Sequence, residues 1–396
     1  MADATYTPAE YRAVVAGLVP EMPVVPTPLA DCRGLVLAED VVAPVSLPPF
    51  DNSAMDGYAV RAEDVATAPV SLPVADDIPA GRTDVRPLEP GTAHRIMTGA
   101  PLPPGADAVV QVELTDAGTG TVHITAPVPA GKHLRRVGED VRAGTVVLRA
   151  GTVLGPPQLG LAAAVGAADL PVRRRPRVVV LSTGSELVEP GTPLEFGQIY
   201  ESNSVLIAAA VRELGGLATV LRAVPDDVPA FRRVVADVDA DVLVTSGGVS
   251  AGAYEVVKDA LTDHGVRFVR VAIQPGGPQG SGTVDGLPVI AFPGNPVSAA
   301  LSFELFLRPA LLTAMGHPTP DRPRTRARVT TPLTSPSGKV QYRRAHLDSG
   351  RVQVVPVGGP ASHLLASFAA ANCLIEVPAA TTAIPEGTEV DVVLLT

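Results

Sequence analysis

Tryptophan is absent from the 396-residue chain, and aromatic residues make up only 4% of it. Proteins that hold single-stranded nucleic acid stack bases on aromatic platforms, and few rings are available here. A basic excess is missing too: 31 Lys and Arg stand against 41 Asp and Glu, a net charge of −10. No nucleic-acid partner is expected from that balance. Cysteine is nearly absent. Cys32 and Cys373 lie far apart with no CxxC and no Cys/His cluster, which argues against structural zinc and a disulfide framework. The opening MADATYTPAEYR lacks a basic region followed by an apolar one, so no secretory signal is expected. No apolar run approaches the ~18 residues of a membrane span. The chain reads as soluble and cytoplasmic, with no membrane partner.

What is present is apolar mass broken by turns. Hydrophobic residues reach 46% and charged residues only 18%, a composition that folds around a large core. At roughly 150 residues per domain the length suggests two to four domains. Gly (37) and Pro (41) together supply about a fifth of the chain, without a repeat. A long all-helical architecture is excluded, since these residues cost roughly 1 and 3 kcal/mol in helix interiors.

Along the chain, Thr7, Pro8 and Glu10 spell a helix start with a capping box, and Pro20 ends that helix. A short helix plus strand is expected over Leu29 to Val42. From Pro44 to about Ala143, short apolar runs alternate with Pro/Gly turns, which reads as a β-rich lobe. A Pro-led helix follows at 156–168. The expected organisation is therefore a discontinuous N-terminal/linking domain (1–45 and 144–175) interrupted by the lobe (46–143). Next, Val178–Leu181, Ala218–Val224, Val242–Thr245, Phe268–Ile273 and Val289–Phe292 are strand candidates. Helical patterns at 202–214, 229–238, 254–264 and 296–315 separate them. Alternation of that kind predicts an α/β domain with a parallel sheet over 176–320. Residues 320–328 read as a linker entering a strand. The rest of 321–396 reads as a small C-terminal β-barrel or sandwich. The fold class is α/β plus β, multi-domain.

In open α/β sheets, ligands bind outside the carboxyl ends of the strands. There the sequence places Ser182-Thr183-Gly184-Ser185-Glu186, Pro225-Asp226-Asp227, Ser246-Gly247-Gly248-Val249-Ser250, Gln274-Pro275-Gly276-Gly277-Pro278 and Pro293-Gly294-Asn295-Pro296-Val297-Ser298. Any one such turn can serve only to let a strand enter a helix. Five on one sheet edge suggest a site. Gly247-Gly248 lets backbone N–H groups approach a phosphate, with Ser246 and Ser250 as hydroxyl donors. Asn295-Pro296 is a good helix start, with the exposed N–H groups of an anion site. Glu186, Asp226 and Glu255 add carboxylates beside it, a mix that makes sense with a bridging Mg²⁺. In the lobe, the turns at 49–60 and 96–110 are polar, with Asp56-Gly57 as a hairpin signal.

Six stretches carry a resemblance: FDNSAMDGYAV at 50–60, RIMTGAPLPPGADAVV at 95–110, GED at 138–140, STGSEL at 182–187, SGGVSAG at 246–252 and FPGNPVSA at 292–299. In order and over almost the whole chain, they resemble the MoeA family of molybdopterin molybdenumtransferases, which includes the E domain of gephyrin. The resemblance implies a homodimer of four-domain subunits with a molybdopterin-binding α/β domain. It also implies a reaction that inserts molybdate into adenylylated molybdopterin, with Mg²⁺, releasing AMP. A molybdopterin adenylyltransferase would supply that substrate. Residue by residue, it implies catalytic roles for Asp56, Thr98, Glu186 and Asp226, and a metal set of Glu186, Asp226 and Glu255. The implied substrate-binding residues are Gly184, Ser246, Gly247, Gly248, Ser250, Arg270, Gly294, Asn295, Pro296, Ser298, Arg344, Ser362 and His363.

The chain departs from the family at three places. Ser185 stands where STGDEL has an acid, and Glu255 takes the place of an Asp. Gln274 and Gly277 replace the two lysines of KPGKP, leaving Arg270 and Arg344 to face an anion. The alternative to the transferase is a non-catalytic paralogue that binds or carries the cofactor.

Overall fold

The computed structural model describes residues 5–224, 227–249 and 256–395. The chain forms two compact units. One comprises Met1–Pro26, Gly34–Ala38 and Pro171–Thr396, and the other Thr27–Arg33 and Glu39–Leu170.

The first unit is built on a seven-stranded sheet. Its order is Thr5–Tyr6, Val266–Val271, Pro278–Val284, Leu287–Phe292, Val242–Ser246, Arg177–Thr183, Leu217–Val224. The last four run parallel, as the alternation of strands and helices predicts. Pro278–Val284 is an unforeseen strand, antiparallel to both of its neighbours. Its sequence, PQGSGTV, reads as a loop because of its glycines, yet they are what permit the pairing. A Cβ at Gly282 would fall 2.0 Å from the Gly265 carbonyl oxygen, and one at Gly280 2.7 Å from the Phe268 ring. Because this strand reverses, Val266–Val271 points the same way as the parallel four. Its carboxyl end therefore lies at their edge.

The core on one face joins Leu181, Leu243, Val289 and Ala291 to Phe231, Val235, Val257 and Leu261 of the helices Val228–Ala236 and Val256–Leu261. The helix Asn203–Glu213 buries Ile207, Ala208 and Val211. Pro296–Ser302, a π-helical turn Phe303–Leu307 and Arg308–Ala314 make one continuous helix. At 19 residues it is long and apolar enough to cross a membrane, but 78% of its apolar window is buried within the protein. Counting unbroken apolar runs missed it, because Ser298, Ser302 and Glu304 interrupt the run. The first helix, Pro8–Leu18, has its capping box, with Thr7 Oγ accepting from Glu10 N at 3.3 Å. Its Tyr11 ring meets Phe306 edge-on at 4.9 Å.

Residues 324–394 close into a five-stranded barrel. Around the ring run Val340–Asp348, Gln353–Pro356, Arg324–Val329, Glu389–Leu394 and Cys373–Val377, the last pairing back onto the first. Inside lie Ala327, Ala345, Val354, Ile375 and Val392.

The second unit carries a five-stranded sheet in the order Ala108–Gln111, Gly57–Val60, Ala93–Ile96, Val70–Ile78, Thr121–Ile124. Asp56-Gly57 is not a hairpin turn here. Gly57 begins a central strand, paired with Ile96 on one side and Gln111 on the other. Glycine is required there by close approach: a Cβ would fall 1.9 Å from the Val110 carbonyl oxygen. Leu29–Val42 resolves into a single 3-10 turn, Leu29–Asp31, and a two-residue strand, Val41–Val42. The later helix is shorter than its pattern, Pro156–Ala164.

Candidate active site

A cavity of about 850 Å³ opens along the carboxyl edge of the seven-stranded sheet. Turns after four strands line it: 182–187, 246–249, 273–278 and 293–298. The fifth turn, with Asp226, lies outside the described residues, as do Ser250 and Glu255. The C-terminal part adds Lys339 and the segment 360–363.

The turns are tight for a physical reason. Gly247 has φ +96° and Gly248 φ +64°, the left-handed region that side chains resist. A Cβ at Gly247 would come within 2.7 Å of the Thr183 carbonyl oxygen. The backbone of one turn thus packs directly on the next, leaving peptide groups instead of side chains facing the cavity. Thr183 Oγ is buried there with no hydrogen-bond partner among the described residues. Glu186 is exposed, its carboxylate folded over Gly184, where a Cβ would meet it at 2.6 Å.

Two residues that sequence reasoning passed over hold this edge together. Glu201 accepts from Ser182 Oγ at 2.8 Å and from Ser204 N at 2.9 Å, and also from Ser204 Oγ. Asn203 Nδ2 donates to Ser246 Oγ at 2.8 Å and to the Gly294 carbonyl at 2.7 Å, bridging two turns. Their signal was the polar run Glu201-Ser202-Asn203-Ser204 at a helix start, which reads as capping alone. Asn295, by contrast, occupies the N-cap position of the long helix, but its side chain makes no capping bond. It lines the cavity instead.

The 274–278 turn is fixed and uncharged. Gln279, fully buried, donates through Nε2 to the Gly276 carbonyl at 2.7 Å and to Ser302 Oγ at 2.6 Å. Gln274 Oε1 accepts from Gln341 Nε2 at 2.6 Å. The left-handed residue is Gly276, at φ +101°, while Gly277 has room for a Cβ.

Of the residues expected to bind substrate, Gly184, Ser246, Gly247, Gly248, Arg270, Gly294, Asn295, Pro296, Ser298, Ser362 and His363 all line this one cavity. Ser362 is tied to the long helix through its carbonyl, which accepts from Val297 N at 3.0 Å. Arg344 does not line it. That side chain is only 1% exposed and donates from Nη2 to the Gly359 carbonyl. Its Nε and Nη1 are buried without a partner among the described residues. Burial, with Arg343 beside it, lowers the Arg344 pKa from the usual guanidinium range.

Asp56 and Thr98 meet in the second unit. Asp56 Oδ1 accepts from Thr98 N at 2.6 Å and from Thr98 Oγ at 2.8 Å. Those two bonds hold the exposed Asp56 carboxyl below the usual carboxylate range. Nearby, Asp51 accepts from Val137 N at 2.7 Å and Arg136 Nη1 at 2.6 Å, which pins the start of the same motif.

Among the described residues no three His, Cys, Asp or Glu side chains gather as a metal cluster. Glu186 is the one expected ligand that is described. Mg²⁺ takes one or two carboxylates and completes its shell with phosphate oxygens and water, so a cavity edge with one carboxylate and hydroxyls fits it.

A polar cavity ringed by glycine turns at the carboxyl edge of a largely parallel sheet defines a ligand-binding α/β domain. The match to the "Probable molybdopterin binding domain" over residues 179–313 narrows that class to a molybdopterin-binding one. Residues 6–166 match "MoeA N-terminal region (domain I and II)", and 326–395 match "MoeA C-terminal region (domain IV)". The chain belongs to the MoeA family. It is 55% identical to Molybdopterin molybdenumtransferase 2 of Mycobacterium tuberculosis, over 97% of this chain and 98% of that one. It is 37% identical to the Haemophilus influenzae molybdopterin molybdenumtransferase, over 88% of each. The crystal structure of a molybdopterin biosynthesis MoeA protein from Pyrococcus horikosii superposes with TM-score 0.84 at 33% identity, covering 99% of this chain and all of that one.

Proposed function

We propose that this protein is a molybdopterin molybdenumtransferase, inserting molybdate into adenylylated molybdopterin with release of AMP in molybdenum cofactor biosynthesis. The observation that carries the reading is the cavity itself. It brings eleven expected substrate-binding residues, from three separate turns, the strand Val266–Val271 and a C-terminal segment, to one polar surface.

The chain's own residues do the positioning. Gly247 N already donates to the Phe292 carbonyl and Val297 N to the Ser362 carbonyl, which leaves the backbone N–H groups of Gly248 and Ser298 as the donors these two turns offer to anionic oxygens. Asn203 holds those two turns at a fixed spacing. Arg270 supplies positive charge, and Ser298, Ser362 and His363 add polar contacts. Glu186, with Asp226 and Glu255, would hold Mg²⁺, which when bound neutralises phosphate charge and favours departure of AMP. Asp56, kept ionised by Thr98, is the lobe's contribution to catalysis. Arg344, buried and outside the cavity, makes no direct contact with substrate in this reading, and its bond to the Gly359 carbonyl places it just before the lining segment 360–363.

The same reading includes a cytoplasmic homodimer, fed with adenylylated molybdopterin by an adenylyltransferase. Two-fold dimers are the commonest oligomeric solution. Turnover of adenylylated molybdopterin with molybdate and Mg²⁺, followed as AMP release, tests the activity. The expected outcome is molybdate-dependent AMP release that falls at least a hundredfold (roughly 3 kcal/mol) in Glu186→Gln. Tight binding without turnover would replace the enzyme with a cofactor carrier.

A further inference from the structure

The chain has only six Tyr and eight Phe, and most of those described serve the core. Tyr11, Tyr58, Tyr342, Phe231, Phe292 and Phe306 are all buried. Tyr200 is different. It is 44% exposed, and it is the only Phe or Tyr among the described residues that line the cavity. Its side chain makes no hydrogen bond and no ring contact among the described residues.

The segment that carries Tyr200 is fastened to the glycine turns. Ile199 N donates to the Glu186 carbonyl at 3.0 Å and Glu201 N to the Val188 carbonyl at 2.9 Å. Those bonds flank Tyr200 and set it in parallel register beside Val188, just past the 182–187 turn. The following residues reach farther. Glu201 accepts from Ser182 Oγ, and Asn203 donates to Ser246 Oγ and to the Gly294 carbonyl. Three turns are therefore braced from within three residues of Tyr200, and a ring on that segment keeps a set spacing from them. A half-exposed ring with nothing stacked on it offers its π-face to a flat ligand. One such ring is too few for a strand of nucleic acid and enough for a single heterocycle.

We propose that Tyr200 is the stacking platform for a flat heterocycle of the substrate. The inference rests on the transferase reading, under which the substrate carries two such rings, the adenine and the pterin. Tyr200 is then a substrate-binding residue, and the bonds of Glu201 and Asn203 fix where the stacked ring lies relative to the glycine turns.

Equilibrium dialysis of the full chain against AMP, ribose 5-phosphate and 6-hydroxymethylpterin tests the platform. The side chain is exposed, so Tyr200→Ala keeps the wild-type thermal melt. Loss of one stacked ring predicts binding weakened about 5- to 150-fold in Tyr200→Ala and near wild type in Tyr200→Phe. Ribose 5-phosphate, which has the phosphate and no flat ring, should bind wild type and Tyr200→Ala alike. Loss confined to AMP assigns the stacked ring as adenine, and loss confined to 6-hydroxymethylpterin assigns it as the pterin. The chain has no Trp, so its emission comes from tyrosine, and a ring stacked on Tyr200 quenches part of it. That quenching should vanish in Tyr200→Phe although binding persists. In turnover, the KM for adenylylated molybdopterin rises in Tyr200→Ala while kcat changes little. Unchanged affinity for both ring probes in Tyr200→Ala, an equal loss for ribose 5-phosphate, or no uptake of either ring probe by the wild type overturns the platform. Failure of the transferase reading is separate: it shows as a wild type that binds a ring probe through Tyr200 yet releases no AMP from adenylylated molybdopterin.

Discussion

The α/β unit and the β-rich lobe offer their polar groups in opposite ways. The α/β unit builds a cavity from backbone, with glycines letting turn pack on turn and side chains such as Asn203 and Glu201 acting as braces. Asp56, in the lobe, is not among the residues that line that cavity. It presents one exposed carboxylate, oriented by two bonds from a single residue, Thr98. A backbone-built cradle offers many donors along an extended surface, whereas an isolated oriented carboxylate offers a single acceptor. Glycine matters in both, for different reasons. In the cavity it supplies left-handed backbone at Gly247, and in the lobe it lets strands approach at Gly57.

Alanine at those two glycines separates the roles, and gives the largest expected effects. Gly57→Ala puts a methyl on the Val110 carbonyl in the middle of the lobe's sheet. Overpacking of this kind, where only backbone can yield, costs on the order of 3 kcal/mol or more. The lobe should unfold early in urea, seen as loss of cooperativity. Gly247→Ala adds left-handed strain of roughly 1–2 kcal/mol and a contact with Thr183, so the melt shifts modestly while AMP and molybdate binding collapse. Equal melts for the two variants would erase the distinction.

A middle-sized effect is expected at Asp56. Thr98→Val removes the hydroxyl donor and keeps the backbone one. The folded Asp56 pKa is depressed, so its contribution is present above the unfolded value, about 3.9, and is lost as pH falls through the folded value. The variant should protonate Asp56 at higher pH than the wild type, measured by carboxyl NMR titration. The acid limb of any activity profile controlled by Asp56 should move the same way. A titration unaltered by Thr98→Val would show that the backbone bond alone sets Asp56.

Much of this organisation could be read from residues. Strand–helix alternation located the four parallel strands, because buried parallel strands such as Val178–Leu181 are continuous apolar runs. Glycine-rich turns marked the cavity, because close backbone packing demands glycine. The antiparallel Pro278–Val284 strand stayed hidden, because glycines chosen for tight pairing look like a loop in one dimension. Glu201 and Asn203 were equally obscure. Their roles depend on which turn each meets in space, and polar residues at a helix start or a strand entrance carry no mark of that. The barrel's closure, Cys373–Val377 back onto Val340–Asp348, was foreseen only as one of two options, since closure is a long-range pairing.

The smallest effect is expected at Gln274. A lysine beside a partly desolvated oxyanion is worth on the order of 1–3 kcal/mol, ~5- to 150-fold in binding. Two features of the turn reduce that gain. Arg270 and Lys339 both line the same cavity, so a third cation adds less to the attraction any anion there would feel. Gln341 competes as well. Its Nε2 now donates to Gln274, and its Oε1 is buried without a partner among the described residues. A lysine at 274 cannot accept from that amide, but it can donate to the orphaned oxygen after the amide turns. Such a bond would hold the ammonium away from the cavity. Gln274→Lys should therefore lower the half-saturating molybdate concentration only about two- to fivefold at fixed pterin substrate. Gln274→Lys in an Arg270→Ala background should rescue far more, because one of the cations is then gone. Rescue would put residues 270 and 274 at one anion. A double variant no better than Arg270→Ala alone would mean that Gln341 captures the lysine, or that residue 274 faces away from the oxyanion. Adding Gln341→Leu decides between these, since it removes the competing acceptor and should release the lysine only in the first case.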